Sequence, residues 1–567
     1  MVNEASYIWK MEDRVIRVQS LQVQFETDQH IVQAVSECSF DLKKAQTLAI
    51  VGESGSGKSV TALAIMGLLN SPPAQITGGK ILFCKENAIS KNLLQLSEKE
   101  YQALRGKELA MIFQEPMTSL NPLMRCGEQV AESIRLHLGS GKEEARLKTI
   151  ALFQEVKLRD AELCYKKYPH ELSGGQKQRV MIAMALCANP SVLIADEPTT
   201  ALDVQVQKSI LELIREVSIQ RNLAVLFITH DLDLVRSFAD EVVVMYKGKI
   251  EEQGAVKKIL EHPESEYTRA LLQCKPRGSV RVKYLPTLHT SSGDPQPTNS
   301  IRDPLDKNTR PLLELHEIQI AYPQRKNLIG QVLQWKQVVN GFSLKIQEGS
   351  THSLLGESGS GKTSIGKAIV RLVPIQEGKI LFQGKNIELL KGDDLMDYRR
   401  DVQMIFQDPY SSLNPRIEIG KAIREPLDVH GIGTVAERKE KVIQLLQKTG
   451  LDASFYHRYP HEFSGGQRQR ICIARSLILQ PRLLICDESV SALDVSVQAQ
   501  ILNLLVQLKD EFGLSYLFIT HDIAVARHLS DRITIMREGK KVEENDTDTL
   551  FLHPEHEYSR QLLESVH

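Results

Sequence analysis

The sequence predicts two tandem α/β domains, each built on a mostly parallel core sheet. Three observations lead there. The chain has 567 residues, 42% of them hydrophobic and 25% charged, which is enough apolar material for sizeable cores. At roughly 150 residues per domain its length allows three to four domains. It is also written twice, and in each half short apolar runs alternate with helical patterns.

The repeats carry the domain argument. GESGSGK at 52–58 returns at 356–362, ELSGGQKQR at 171–179 returns as EFSGGQRQR at 462–470, and FITHD at 227–231 returns at 518–522. HPESEY at 262–267 returns as HPEHEY at 553–558. Lys58 and Lys362 lie 304 apart and Gln114 and Gln407 lie 293 apart. The pairs Ser173/Ser464, Asp196/Asp487, His230/His521 and His262/His553 are all 291 apart. A spacing that drifts early and is rigid later places the indels before residue 114, where 84–100 reads as a polar surface loop. A period this long means two homologous domains, expected at 1–274 and 312–567. Residues 275–311, rich in Pro, Ser, Thr, Gly and Asn, read as a flexible linker.

Within the first half, TLAIV (47–51) reads as a strand, followed by a glycine loop and a helix through Ser59–Leu69. VLIAD (192–196) and AVLFIT (224–229) are apolar without alternation, as buried central strands are. VVVMYKGKI (242–250) reads as strand, turn and strand.

Charge and cysteines narrow the function. Seventy Lys and Arg against 71 Asp and Glu leave a net charge of −1, without the basic field that nucleic-acid binding needs. No nucleic-acid partner is expected. No stretch reaches the roughly 18 apolar residues of a membrane span, and the start lacks a signal peptide's apolar run, so a cytoplasmic chain is expected. The eight cysteines form no C-x-x-C pair, which points to buried thiols in a reducing compartment.

Gly52-Glu53-Ser54-Gly55-Ser56-Gly57-Lys58-Ser59 and Gly356-Glu357-Ser358-Gly359-Ser360-Gly361-Lys362-Thr363 both fit G-x-x-x-x-G-K-[ST]. Glycines let successive N–H groups face phosphate oxygens, and the following helix aims its positive end at the same anion. Lys58 and Lys362 add charge for the β- and γ-phosphates, and the Ser59 and Thr363 hydroxyls suit Mg²⁺. Asp196 and Asp487 end apolar runs 138 (196 − 58) and 125 (487 − 362) residues after the loop lysines and are the candidate Mg²⁺ carboxylates. Glu197 and Glu488 follow directly as candidate bases for an attacking water.

With LSGGQ at 172–176 between the glycine loop and the Asp-Glu pair, the chain resembles the ATP-binding cassette (ABC) ATPases in both halves. The resemblance implies two P-loop ABC domains, each with an antiparallel β part and a helical subdomain (about 115–172 and 408–463). It implies Phe25 and Tyr322 as adenine platforms. It makes Gln114 and Gln407 the Q-loop glutamines that touch Mg²⁺ and water. Ser173, Gly174, Gly175 and Gln176, and Ser464, Gly465, Gly466 and Gln467, become the signatures. Ala201-Leu202-Asp203 and Ala492-Leu493-Asp494 resemble the D-loop, and His230 and His521 the switch histidine. The family's architecture implies ATP sandwiched by the loop of one half and the signature of the other, with both sites competent. The second half departs from the pattern at Phe463 and at Ser489, which replaces the first half's Pro198 and is expected to loosen the turn after the base.

The branch is read around the Q-loop. FQEPMTSLNP (113–122) and FQDPYSSLNP (406–415) are similar to the ATPases of bacterial peptide and nickel importers, as are the HPESEY and HPEHEY domain ends. YPQRKNLIGQVLQWKQVVN (322–340) resembles an insertion of the partner-type subunit and reads structurally as a surface hairpin or amphipathic segment. The implied function is a fused ATPase that powers import of peptides or similar solutes. Its partners would be two permease subunits and an extracytoplasmic solute-binding protein, at the cytoplasmic face of the bacterial inner membrane. Nickel or glutathione import, or a soluble cassette acting on ribosomes, are the alternatives. Only Cys274 lies where relatives carry a cysteine-rich tail, so no iron–sulfur cluster is predicted.

Overall fold

The computed structural model describes residues 14–26, 31–84, 90–113, 119–199, 202, 204–274, 282–288, 310–326, 332–491 and 493–564. The chain divides into two compact units, Met1–Leu272 and Gln273–His567.

The strands of the first unit are β1 (Arg14–Glu26), β2 (Ile31–Lys43), β3 (Thr47–Gly52), β4 (Ala74–Phe83), β5 (Lys91–Asn92), β6 (Leu109–Ile112), β7 (Val192–Asp196), β8 (Ala224–Thr229), β9 (Glu241–Tyr246) and β10 (Lys249–Ala255). They form two sheets, β2-β1-β4-β5 and β10-β9-β3-β8-β7-β6. The first is antiparallel, and the second is parallel except at β9/β10. Residues 47–52 of β3 are all buried, as expected of a parallel strand covered on both faces. Ile16, Val18, Leu21 and Val23 of β1 share one core with Leu48 and Ile50 of β3, Ile65 of the next helix and Ile194 of β7. The helices Cys126–Leu138, Lys142–Glu155 and Ala161–Lys166 precede the helix Gly174–Leu186.

The second unit repeats this plan with β11 (Pro311–Lys326), β12 (Val332–Gln347), β13 (Thr351–Leu355), β14 (Glu377–Phe382), β15 (Lys385–Asn386), β16 (Val402–Ile405), β17 (Leu483–Asp487), β18 (Ser515–Thr520), β19 (Arg532–Arg537) and β20 (Lys540–Asp546). Its sheets run β12-β11-β14-β15 and β16-β17-β18-β13-β19-β20. The order of strands decides where chemistry happens. β8 separates β3 from β7, and β18 separates β13 from β17. The loops leaving their C-terminal ends therefore converge on one edge of each parallel sheet.

Three segments depart from, or sharpen, the sequence reading. Residues 84–100 are not simply a polar loop: β5 leads into a 3-10 turn, Leu93 is fully buried, and a helix starts at Glu98. Ser97 and Glu100 form the capping box that nucleates that helix. The 322–340 segment takes the hairpin reading, because β11 and β12 pair out to Lys326↔Val332. The expected flexible linker is ordered over 282–288. There Leu285 is buried in the second unit's core, its N–H donates to Asn503 Oδ1 at 2.8 Å, and Asn503 Nδ2 donates to its carbonyl at 2.8 Å. Lys283 pairs with Asp510 at 2.9 Å. Polar composition suggested mobility, but Leu285, with Val282, Tyr284 and Leu288 packed beside it on the same core, and a buried amide that satisfies its backbone dock these seven residues.

Removing that amide releases the segment. In Asn503→Ala, the loss of two hydrogen bonds worth about 1 kcal/mol each should speed tryptic cleavage after Lys283 by about tenfold or more. An unchanged cleavage rate would show that the clasp does not hold the segment.

A second expectation concerns His352 on β13, which is buried and shares a 2.8 Å hydrogen bond with Thr534. Burial lowers its pKa to about 4; Arg532 and Lys541 act in the same direction, Glu544 and Asp531 against it. The unfolded chain takes up a proton near pH 6.5, while the folded unit does not until about pH 4. The contribution is therefore complete above pH 6.5 and is lost as pH falls from 6.5 towards 4, by about 3 kcal/mol. The first unit has Leu48 and Val243 at these places. His352→Leu with Thr534→Val should flatten the urea-unfolding stability of the second unit between pH 7.5 and 5. An unaltered slope would exclude His352 as its source.

Candidate active site

Each glycine loop leaves the end of a buried strand and closes into a helix. Gly52, Gly55 and Gly57 have φ of 153°, 77° and 98°, and Gly57 is the N-cap of the helix Lys58–Met66 without a side-chain cap. The helix's first N–H groups thus point into the loop with no side chain to satisfy them. A Cβ on Gly57 would come within 2.5 Å of the Ala34 carbonyl oxygen, so glycine is required there. Lys58 is buried and donates to the Gly52 and Glu53 carbonyls at 2.8 Å each. Lys362 does the same to Gly356 at 2.7 Å and Glu357 at 2.8 Å. Both ammonium groups thus donate to two loop carbonyls, and Lys362 also to the Ser360 hydroxyl at 3.4 Å. The buried Ser56 hydroxyl has no hydrogen-bond partner among the described residues. The outer residues Ser54, Gly55, Ser358 and Gly359 are exposed.

The loop is tied to the far strand. Ser59 Oγ donates to Asp196 Oδ1 at 3.1 Å, and Thr363 Oγ1 to Asp487 Oδ1 at 2.9 Å. Burial pushes both aspartates up to about 6; the hydroxyl beside each opposes this and the adjoining Glu197 or Glu488 adds to it. A hydroxyl and a buried carboxylate short of positive charge form the oxygen donor set that suits Mg²⁺, so these residues fit that ion.

The next residue turns sharply. Glu197 and Glu488 have φ of 46° and 45°, a left-handed conformation costly for a side-chain-bearing residue. Their N–H groups donate to the carbonyls of Ile228 and Ile519 at 2.9 Å, which anchors the turn to the neighbouring strand. His230 Nδ1 lies 3.2 Å from Glu197 Oε1, and His521 Nδ1 lies 3.3 Å from Glu488 Oε1. Gln407 Nε2 donates to Glu488 Oε2 at 2.7 Å. Burial is the largest single effect and opposes charge on both, but His521, Lys362 and Gln407 together hold Glu488 below its usual range, and Glu488 with Asp522 holds His521 above its own. The second unit thus gathers Lys362, Thr363, Gln407, Asp487, Glu488 and His521 at one sheet edge. The first unit brings Lys58, Ser59, Asp196, Glu197 and His230 together. Its Gln114 lies outside the described residues, as do Ala201, Asp203 and Ala492.

The signatures are helix N-caps. Ser173 Oγ accepts from the Gln176 N–H at 3.4 Å while Gln176 Oε1 accepts from the Ser173 N–H at 3.1 Å; Ser464 and Gln467 repeat both bonds at the same distances. A Cβ on Gly175 would lie 2.5 Å from Val206, and one on Gly466 2.3 Å from Val497. The glycine therefore lets the helix after the D-loop pack close. Gly174 and Gly465 open the two signature helices. Phe25 and Tyr322 are half-buried on β1 and β11, and the Tyr322 hydroxyl donates to Ser364 at 3.1 Å, beside the glycine-loop helix.

Sequence reasoning missed a brace in the second unit. Arg468, next after the signature, sits 3.6 Å over the Tyr410 ring and donates to the Pro460 carbonyl at 2.7 Å. Two turns on, Arg475 donates to the Ser412 carbonyl at 2.9 Å. The signature helix thereby grips the short Q-loop helix Pro409–Ser412. The first half has Lys177 and Met184 at the arginine positions. The only sequence signal was two arginines seven apart on one helix face.

Comparison with known proteins shows the family of the chain. The family model "ABC transporter" matches residues 35–200 and 339–491. The model "Oligopeptide/dipeptide transporter, C-terminal region" matches 252–300. The chain is 45% identical over 556 residues to the glutathione import ATP-binding protein GsiA of Salmonella typhimurium (strain LT2), covering 97% of this chain and 89% of that protein. It is 46% identical over 560 residues to GsiA of Escherichia coli (strain K12), with the same coverage. A dimeric ATP-binding cassette solved in a post-hydrolysis state with ADP and Pi is 26% identical over 42% of this chain and 98% of its own, with a TM-score of 0.38. Two matched cassettes, and relatives aligned over nearly the whole chain, make this protein a tandem ATPase of the ABC transporter family.

Proposed function

We propose that the chain hydrolyses ATP at two nucleotide sites, one per glycine loop, to drive import of glutathione or short peptides through separate membrane permeases. The observation that carries the hydrolytic part is Glu488, set in a left-handed turn between His521 and Gln407 at the edge that also holds Lys362.

In this reading the loop N–H groups and Lys58 or Lys362 hold the β- and γ-phosphates. Phe25 and Tyr322 stack on adenine. Ser59 and Asp196, or Thr363 and Asp487, would hold Mg²⁺, which would supply positive charge to offset that of the transferring phosphate. Glu197 and Glu488 accept a hydrogen bond from the attacking water and orient it in line with the γ-phosphate, and the neighbours of Glu488 hold it below the usual carboxylate range. The water's proton passes towards the carboxylate or a phosphate oxygen as the P–O bond forms and the bond to ADP breaks. His230 and His521 fix the carboxylate rotamer, and Gln114 and Gln407 report whether the γ-phosphate is in place.

The import part rests on the relatives' function and on the surface beside the Q-loop. Among the described residues, no helix is long and apolar enough to cross a membrane. Phe113, Leu123, Phe406 and Tyr410 are nonetheless exposed large side chains flanking the Q-loop, the kind of patch that a protein partner covers. Two permease subunits at the cytoplasmic face of the bacterial inner membrane are the proposed occupants, with substrate delivered by an extracytoplasmic binding protein.

Glu197→Gln with Glu488→Gln should cut steady-state ATP turnover by about 100-fold or more while ATP stays bound. Full turnover in this double variant would mean that the assigned bases are wrong. Gentle purification from native membranes should bring down two multi-span proteins at comparable amounts, and loss of the chain should abolish growth on glutathione as sole sulfur source. Ribosomal proteins in place of permeases would overturn the transport reading and leave the ATPase standing.

A further inference from the structure

The repeated His-Pro segments at the two domain ends have no part in the chemistry above, yet they are built alike. In the second unit, Glu543 of β20 accepts the N–H groups of Glu555 and His556 at 3.0 and 3.1 Å. His556 Nδ1 accepts the Tyr558 N–H at 3.1 Å. The segment is thereby fixed on the strand, and it delivers Tyr558 to the core. In the first unit, Glu252 of β10 accepts the N–H groups of Glu264 and Ser265 at 2.9 and 3.2 Å, and Ser265 Oγ accepts that of Tyr267 at 3.2 Å. The same anchoring is made twice from different side chains, His556 against Ser265.

In the second unit the tyrosine reaches the glycine loop. Tyr558 is buried beside Leu355, the last residue of β13, and Ile533 of β19. Arg537 lies over its ring at 4.7 Å. Its hydroxyl donates to Glu357 Oε1 at 3.0 Å, 201 residues away. Glu357 is the second residue of the glycine loop, and its carbonyl is one of the two on which Lys362 rests. A carboxylate is an awkward side chain in a loop that receives a polyphosphate. At a few ångströms, like charges cost on the order of 1–4 kcal/mol even with solvent screening. Bound to the hydroxyl, the carboxylate is committed to the C-terminal segment.

We propose that Tyr558 is a positioning residue for the phosphate loop of the second unit, its hydroxyl holding the Glu357 carboxylate aside so that the loop presents phosphate with N–H groups and Lys362 unopposed. This rests on the reading of residues 356–363 as an ATP site. It gives the second unit's domain end a role in nucleotide affinity.

The test uses the full chain made hydrolysis-silent by Glu197→Gln and Glu488→Gln, with the first loop disabled by Lys58→Ala. MgATP, MgADP and AMP are titrated calorimetrically. Tyr558→Phe keeps the ring under Arg537 and removes only the hydroxyl. It should weaken MgATP by about 3- to 10-fold, the scale of one ordinary hydrogen bond, with less effect on MgADP and least on AMP. Glu357→Gln removes the charge, and adding Tyr558→Phe to it should change MgATP affinity less than about twofold. Unchanged MgATP affinity in Tyr558→Phe overturns the proposal. So does an equal loss for all three nucleotides, or the same loss with glutamine at 357, because each makes the hydroxyl merely structural. Lys362→Ala serves as control: if it leaves MgATP binding intact, the phosphate-loop reading itself fails, and this inference with it.

Discussion

The hydrogen bond between the loop hydroxyl and the strand-end aspartate, Ser59 to Asp196 and Thr363 to Asp487, is the constraint around which each unit is arranged. It joins the segment leaving β3 to the end of β7, and that leaving β13 to the end of β17, across an intervening strand. That distance is set by the parallel sheet, and a parallel sheet of this kind must be buried on both faces. Hence the all-buried strands, the antiparallel sheet sharing their core and the helices that cover the rest. The aspartate's burial is a cost that the protein alone does not offset, which is why its carboxyl is pushed up to about 6 and why a cation suits it.

Local strain follows from the same geometry. The residue after the aspartate must leave the sheet edge at once and still place a carboxylate over the loop. Glu197 and Glu488 do so with positive φ, held by a backbone bond to the neighbouring strand. The glycines of the loop and of the signature answer a different demand, room: a Cβ at Gly57 would meet the Ala34 carbonyl, and one at Gly466 would meet Val497. Strain is accepted where the side chain does chemistry, and the side chain is dispensed with where only backbone is needed.

Duplication preserved this frame and let its surroundings diverge. The second unit has Arg468 on Tyr410, His352 with Thr534, and Asn503 clasping Leu285. At the matching places the first unit has Lys177, Leu48 with Val243, and Glu212. None of these replaces a residue that faces phosphate. The two units share a reaction edge and differ in the polar contacts that stiffen it.

Much of the architecture was legible in the chain itself. The glycine loops, the Asp-Glu pairs, the signatures and the strands TLAIV, VLIAD and AVLFIT are contiguous, and contiguous residues reveal their chemistry through spacing and burial period. The capping boxes of Ser173 with Gln176 and of Ser464 with Gln467 span three residues and are as local as the helix turn they start. Composition misled at 84–100 and at 282–288, where short apolar clusters (Leu93, Leu94 and Leu96; Val282, Tyr284, Leu285 and Leu288) outweigh polar neighbours once they find a core. What the tertiary structure alone decided are contacts between residues distant in sequence: Gln407 with Glu488, Thr363 with Asp487, Tyr558 with Glu357 and Leu285 with Asn503, 81, 124, 201 and 218 positions apart. The physical reason is that a hydrogen bond needs about 3 Å and an orientation, and sequence separation carries no information on either until the sheet has brought the strand ends together.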